Sequence, residues 1–447
     1  MSAFTFIERI DKMNKVTPKI MPGFMELLPE DQILFNKLVD TIRESYEEYG
    51  FMPLDTPVLE CSEVLLAKAG GETEKQIYRF KKGENDISLR FDLTVPLARY
   101  VSQRYNDLVF PFKRYQIGKV YRGERPQKGR YRELYQCDID VIGENLSITY
   151  DAEIPAVIYN TFKKLNFGEF TIRINNRKLL NGFFEHLNLK NKSTDVLRII
   201  DKLEKIGKEE VKKELLSIPV EETKVNEIIN FVSLKGTNNE ILKSLENLNI
   251  TNEIFNEGLK ELNEVIVKIK DFGIGENYYT IDLTIARGLD YYTGTIYETK
   301  LNEYPGLGSI CSGGRYDNLT NYYTDRVLQG VGISIGLTRL FYQLKEANII
   351  KSTNKTLTEV LIIPFSKENE NYAIKISSEL RKNKIICDTY YEEKGLKQKL
   401  KYANRLGIPY VCILGDDEEK AEKATLKNME TGEQQTLSIN DLITKLK

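Results

Sequence analysis

Between Lys113 and Gly143 the chain sets Arg122, Glu124, Arg125, Lys128, Arg130, Arg132 and Glu133 among Tyr115, Tyr121, Tyr131 and Tyr135. A guanidinium is a planar, permanently charged fork that bonds two oxygens at once, so several at fixed positions suit a polyphosphate. Strands can hold them there. Runs of strand-like composition flank the turn-forming centre Pro126-Gln127-Lys128-Gly129, which predicts two antiparallel strands joined by a loop. The second strand closes on the apolar–acidic alternation Asp138-Ile139-Asp140-Val141. A solvated charged hairpin has the same composition, so the segment needs company to mean more.

It has company. Ser88-Leu89-Arg90-Phe91-Asp92-Leu93-Thr94 follows a predicted hairpin turn at Lys82-Gly83-Glu84-Asn85 and places a carboxylate at a strand end. Ile285-Ala286-Arg287-Gly288-Leu289-Asp290-Tyr291-Tyr292 combines an arginine with two tyrosines that could wall a flat polar ligand. Residues 308–317 hold the pair Gly313-Gly314, which admits a ligand against the backbone or permits a bulge. In residues 330–340 a glycine-punctuated strand passes into a helix, with Arg339 in its first turn, where an anion is favoured.

Residues 113–143 closely resemble motif 2 of class II aminoacyl-tRNA synthetases, in the form carried by the histidyl-tRNA synthetase family. The resemblance extends over nearly the whole chain and is weakest in residues 176–275. It implies ATP and histidine as substrates. Arg122 would contact the α-phosphate of ATP, and Glu124 and Arg130 would hold the adenine and the terminal phosphates. Arg287, in the family's RGLDYY signature, would face the same phosphate from the other side. Charge grows on that phosphorus as a carboxylate attacks, so pre-placed guanidiniums stabilise the transition state more than the ground state. Asp92 and Thr94 would meet the substrate's amino group. Gln136 and Asp140 lie on one face of the second strand. Asp140 would pair with an imidazole N–H and Gln136 with the amino or carboxylate end. Tyr291, Tyr292, Gly314 and Tyr316 would line the amino-acid pocket, and Arg339 resembles the motif 3 arginine over the adenine. The residue before it, often glutamate in this family, is Thr338. Mg²⁺ is expected to arrive with ATP, and no tightly bound metal is expected.

The resemblance also implies partners. Gln127, in the motif 2 loop, would read a base at the acceptor end of tRNA(His). Lys397, Lys401 and Arg405 recur every four residues on one helical face, opposite Leu396, Leu400 and Ala403. Such a stripe suits a phosphate backbone, or is a solvated face, and here it lies in a segment similar to the anticodon-binding domain of this synthetase subgroup. The only histidine, His186, sits among Phe183, Phe184 and Leu187 and reads as structural. Adenylation needs no histidine base, because the attacking carboxylate is already ionised.

The elements behind these residues follow from periodicity. Ile33, Leu34, Leu38, Ile42 and Tyr46 predict a helix, and residues 52–60, with Pro53 and Pro57, predict an extended segment. By resemblance this is motif 1, which implies a homodimer. Expected domains are a catalytic α+β domain with an antiparallel sheet in two parts (1–175 and 276–347), a helical insertion (176–275), a linker (348–358) and an α/β anticodon-binding domain (359–447). Net charge is −2, so any nucleic-acid contact must come from local basic patches. The five cysteines are scattered without metal-ligand spacing, as in a reduced, cytoplasmic protein. No secretory signal is visible at the N-terminus, and no apolar run approaches the ~20 residues that span a membrane. One rival reading is a histidine-binding regulatory paralogue of ATP phosphoribosyltransferase, which typically lacks the C-terminal domain. Another is a synthetase-derived RNA-binding or scaffold protein.

Overall fold

The computed structural model describes residues 16–67, 72–125, 131–285, 292–353 and 355–447. These form two units, one of residues up to Met25 with Val39–Ile350, the other of Glu26–Leu38 with Lys351–Lys447.

The first unit is built on an eight-stranded sheet. Its order is β1 (Met52–Pro53), β5 (Phe112–Tyr121), β6 (Glu133–Gly143), β11 (Gln329–Gly336), β10 (Cys311–Tyr316), β9 (Thr295–Leu301), β7 (Phe170–Asn176) and β8 (Tyr279–Ile281). The six inner strands are antiparallel, and one parallel strand is added at each edge. A smaller antiparallel sheet, β2 (Leu59–Cys61), β4 (Asn85–Leu89) and β3 (Arg79–Lys82), falls between β1 and β5 in the chain. The predicted turn between β3 and β4 has Gly83 at φ +62, a conformation that costs glycine little.

One face of the main sheet is covered by the helix Thr149–Leu165, whose Ile154, Val157, Ile158 and Phe162 are buried. The covering is tied by polar bonds. The Tyr297 hydroxyl donates to the Asp151 carbonyl at 2.7 Å, and Arg315 grips the Asp151 carboxylate at 2.5 and 3.1 Å. Because side chains alternate along a strand, Gly314 and Tyr316, flanking Arg315, face the other way. That second face is the one left for a ligand.

The helices of residues 177–271 are not detached from the sheet unit. Helix Glu253–Asp271 crosses helix Arg177–His186 with two glycines at the crossing. A Cβ on Gly182 would lie 2.3 Å from the backbone nitrogen of Phe255, and one on Gly258 would lie 2.4 Å from that of Leu179. His186 ends the first of these helices with its side chain exposed, so its apolar neighbours in sequence are not its surroundings.

In the second unit β13 (Cys387–Thr389), β12 (Val360–Pro364) and β14 (Tyr410–Leu414) are parallel, and β15 (Lys423–Asn428) and β16 (Gln434–Ser438) extend the sheet antiparallel. Helices Glu370–Lys382 and Ile439–Leu446 cover one face, against Val360 and Ile362. Helix Leu396–Leu406 covers the other, against Leu361, Ile363 and Val411. That helix stops at Gly407, φ +69, where the chain turns left-handed. Lys397, Lys401 and Arg405 are exposed on its outer side, while Lys399 turns inward and donates to the Pro364 carbonyl at 2.9 Å.

Candidate active site

The register of the sheet decides which side chains meet. Arg114 of β5 stands opposite Asp140 of β6, which stands opposite Gly332 of β11, which stands opposite Gly314 of β10. One rung further on, Gln116, Asp138, Ser334, Ser312 and Glu298 form the next row. From these rows Asp140, Gly332, Asp138, Ser334, Ser312 and Glu298 line a cavity of about 510 Å³, together with Asp92, Thr94, Tyr292, Tyr316, Arg122 and Arg339.

Each wall residue has a local cause. Asp92 precedes helix Thr94–Gln103 and its Oδ1 accepts from the Thr94 and Val95 amides at 3.1 and 2.9 Å, satisfying the start of the helix. Arg122, just past β5, donates to the Phe91 carbonyl at 3.2 Å and lies 4.7 Å from the centre of the Phe91 ring. The carbonyl bond and the ring together hold its guanidinium at the cavity edge. Tyr316 donates to Asp140 Oδ1 at 2.7 Å. Gly332 makes that possible, since a Cβ there would lie 2.3 Å from Asp140 Oδ1. Gly314 lies beneath Tyr292, whose ring a Cβ would approach to 2.9 Å, and its neighbour Gly313 reaches the cavity wall. Arg339 is in the first turn of helix Leu337–Glu346 and donates to the Leu307 carbonyl at 3.3 Å. Thr338, where the family often has glutamate, is buried and accepts from the Tyr135 amide at 2.7 Å, closing the start of β6 onto this helix.

Two features of this floor carry most of the electrostatics. The first is a buried ion pair: Arg114, fully buried, meets Asp140 Oδ2 at 2.5 Å. With Tyr316 on the other oxygen, both acceptors of Asp140 are engaged. The second is a chain of hydrogen bonds from Arg122 Nη2 to Gln136 Oε1 (3.4 Å) and from Gln136 Nε2 to Ser334 Oγ (2.6 Å). Ser334 in turn bonds Asp138. The chain links the Arg122 guanidinium to the Asp138 carboxylate, each bond polarising the next.

Burial pushes the Asp138 carboxyl up to about 7 and the Asp140 carboxyl to about 6, with Arg114 opposing both. Burial raises Asp92 as well. A carboxyl raised in this way favours the folded state only while it keeps its proton. That contribution is lost as pH rises from the usual carboxylate range through 6 and 7, so these carboxyls weigh on the fold most at alkaline pH.

Of the residues expected from sequence, Asp92, Thr94, Arg122, Gln136, Asp140, Tyr292, Tyr316 and Arg339 line this one cavity. Glu124 lies beyond the end of β5 and does not line it; its carbonyl accepts from Arg132 Nε at 3.0 Å. Gln127, Arg130, Arg287 and Tyr291 lie outside the described residues. Lys397, Lys401 and Arg405 belong to the other unit. Reading the sequence alone passed over Arg114, Asp138 and Ser334. Their signal was present, since alternation from Gln136 places Asp138 on the same face, but it depends on register.

No described helix is long and apolar enough to cross a membrane, and no group of three or more His, Cys, Asp or Glu side chains that could hold a metal occurs among the described residues.

Comparison with known proteins agrees with this geometry. The family profile described as histidyl-tRNA synthetase matches residues 23–340, and that of the anticodon binding domain matches residues 359–447. The histidine–tRNA ligase of Clostridium tetani is 60% identical over 438 residues, covering 98% of this chain and 99% of its own. That of Finegoldia magna is 49% identical, covering 97% and 100%. The crystal structure of histidyl-tRNA synthetase from Nostoc sp. PCC 7120 superposes with a TM-score of 0.89 at 41% identity, covering 97% of this chain and 99% of that one. A Bacillus halodurans structure titled as an ATP phosphoribosyltransferase regulatory subunit/histidyl-tRNA synthetase shares the fold, at 22% identity and a TM-score of 0.73. With the sheet, the cavity and these relatives in agreement, the chain belongs to the histidyl-tRNA synthetase family.

Proposed function

We propose that the cavity above β6, β11 and β10 binds histidine beside ATP and joins them as histidyl-adenylate, which is then passed to the 3′ end of tRNA(His). The chain is a histidine–tRNA ligase. The observation that carries the assignment of roles is the lining of the cavity, which gathers Arg122 and Arg339 with the carboxylates Asp92, Asp138 and Asp140 and the tyrosines Tyr292 and Tyr316. Histidine brings an ammonium and an imidazole to these carboxylates. Its carboxylate then points toward Arg122, where the α-phosphate of ATP would lie. The carboxylate oxygen attacks the α-phosphorus, the bond to the β-phosphate oxygen breaks, and pyrophosphate leaves. Arg122 holds the charge that develops, and Arg287 takes the opposite side. Position and electrostatics do this work without any proton transfer. Arg339 and Arg130 take the outer phosphates, and Glu124 the adenine edge. Mg²⁺ enters as part of the ATP substrate. The protein acts in the cytoplasm as a homodimer.

Amino-acid-dependent ATP–pyrophosphate exchange, run over all twenty amino acids without tRNA, tests this reading. Exchange with histidine alone supports it. Histidine binding without exchange would instead point to a regulatory role like that of the paralogue.

The second unit is assigned to tRNA. Its exposed Lys397, Lys401 and Arg405 sit one helical turn apart. Reversing all three to glutamate is expected to raise the KM for tRNA(His) by about tenfold or more, since each lost phosphate contact also forfeits counterion release. Histidine-dependent exchange should not change. Equal charging kinetics for the variant and the parent, compared at low and moderate salt, would remove this helix from the tRNA-binding surface.

A further inference from the structure

The row of Gln116, Asp138, Ser334, Ser312 and Glu298 continues past the cavity, because β7 sets Arg173 opposite Glu298. Arg173 is buried and does not line the cavity, whereas Glu298 does. Its guanidinium is divided among three parts of the fold. Nη1 donates to Glu298 Oε2 at 3.0 Å. Nε donates to Asp282 Oδ2 at 2.6 Å, and Nη2 to Thr284 Oγ1 at 2.9 Å. Nη2 also meets Glu204 Oε1 at 2.7 Å, in the first turn of helix Leu203–Ser217. Asp282 gives its other oxygen to the Thr284 amide and hydroxyl, at 2.9 and 2.6 Å. These bonds fix a turn just after β8. The next residue, Ile285, lines the cavity, and its carbonyl accepts from Asn175 Nδ2 at 3.1 Å.

Charge makes the arrangement more than a brace. Glu298 puts a carboxylate on the wall of a cavity that takes a triphosphate in the function proposed above. Like charges in a partly desolvated cleft repel strongly, so Glu298 opposes ATP unless a cation faces it. Arg173 is that cation. Lys300 stands 4.0 Å from Glu298 Oε2 and pairs more closely with Glu204, so it covers Glu298 less well.

We propose that Arg173 is a positioning residue for ATP: it touches no substrate, holds Glu298 and residues 282–285 at the cavity wall, and cancels the charge that Glu298 presents to the triphosphate. The inference rests on the adenylate-forming function proposed above and deepens it. Histidine, which carries almost no net charge near pH 8, is the internal control, because a bare carboxylate on the wall repels it little.

The test uses the full-length protein and equilibrium titrations with ATP alone and with histidine alone, which need no turnover. In Arg173→Met the ATP Kd is expected to rise about tenfold while the histidine Kd stays within about threefold. The same substitution made in a Glu298→Gln background should change the ATP Kd by less than about twofold, because the charge it uncovers is gone. A brace alone gives a different pattern, in which a looser wall lowers the melting temperature and weakens both ligands in both backgrounds. An unchanged ATP Kd in Arg173→Met overturns the inference. So does an equal loss for ATP and histidine, or an equal loss of ATP affinity in the two backgrounds. If Arg173→Met does not fold, Arg173→Gln, neutral but able to keep a hydrogen bond, decides by the same readouts. Failure of the ligase reading is separate, since it appears as absent histidine-dependent exchange in the parent protein.

Discussion

Replacing Arg122 by alanine is expected to lower histidine-dependent ATP–pyrophosphate exchange by two to three orders of magnitude, about what the loss of one pre-placed donor to a developing oxyanion costs. The structure says why the effect should be so large and so confined. The guanidinium is fixed by the Phe91 carbonyl at 3.2 Å and lies over the Phe91 ring. It therefore waits at the cavity edge and loses little entropy when the α-phosphate arrives. Half-buried and outside the core of the sheet, it contributes little to folding, so the melting temperature should move by no more than a few degrees. Lysine should not rescue the rate, because an ammonium cannot span two oxygens in one plane. Arg287→Ala is expected to match it in the same assay, with tRNA binding intact. An exchange rate within about tenfold of the parent for Arg122→Ala would remove Arg122 from the reaction centre.

The second large effect is on stability. Arg114→Met should destabilise the first unit by about 3–5 kcal/mol, the usual result of removing one partner from a buried ion pair. Arg114 is wholly buried, pairs with Asp140 and lowers the carboxyl pKa values of Asp138, Asp140 and Asp92 against the effect of burial. Methionine fills much of the same space and leaves Asp138 and Asp140 without their cation and Asp92 with Arg122 alone. The sign of the pH dependence follows. Near pH 5 those carboxyls hold their protons and the loss is mostly of packing and hydrogen bonds. As pH rises through 6 and 7 they must ionise uncompensated or stay protonated against the solution, and the penalty grows. Thermal melts of parent and variant at pH 5.5 and pH 8 read this directly. A smaller gap at pH 8 than at pH 5.5 would contradict the account of Arg114 as the cation that the site is built around.

Arg122 and Arg114 also mark the boundary of what can be read from residues alone. Arg122 stands out in sequence because it sits among other charges and tyrosines next to a turn, and local composition is enough to see that. The two strands of this hairpin, the helix bearing Arg339, the succession of helices after β7 and the parallel α/β unit at the C-terminus are equally local. Each follows from the period of its apolar residues and from glycine and proline at its ends. The chain's chemistry class was legible for the same reason, since guanidiniums, carboxylates and tyrosines recur in short blocks.

Arg114, Asp138 and Ser334 were not legible, because their meaning depends on pairing. A register shifted by one residue would set Tyr115 opposite Asp140 and turn Arg114 to the face covered by helix Thr149–Leu165; the observed register sets Arg114 opposite Asp140 instead. The contacts of Asp140 are likewise set by pairing, with Arg114 on one oxygen and Tyr316, 176 residues away in sequence, on the other. Which groups surround each carboxylate depends on strands brought together from residues 112–143 and 311–336. The sequence by itself determined the elements and the kinds of group the site would use, because those rest on neighbours along the chain. Tertiary structure alone decided which groups neutralise one another and which of them line one cavity, because charge and burial act through space.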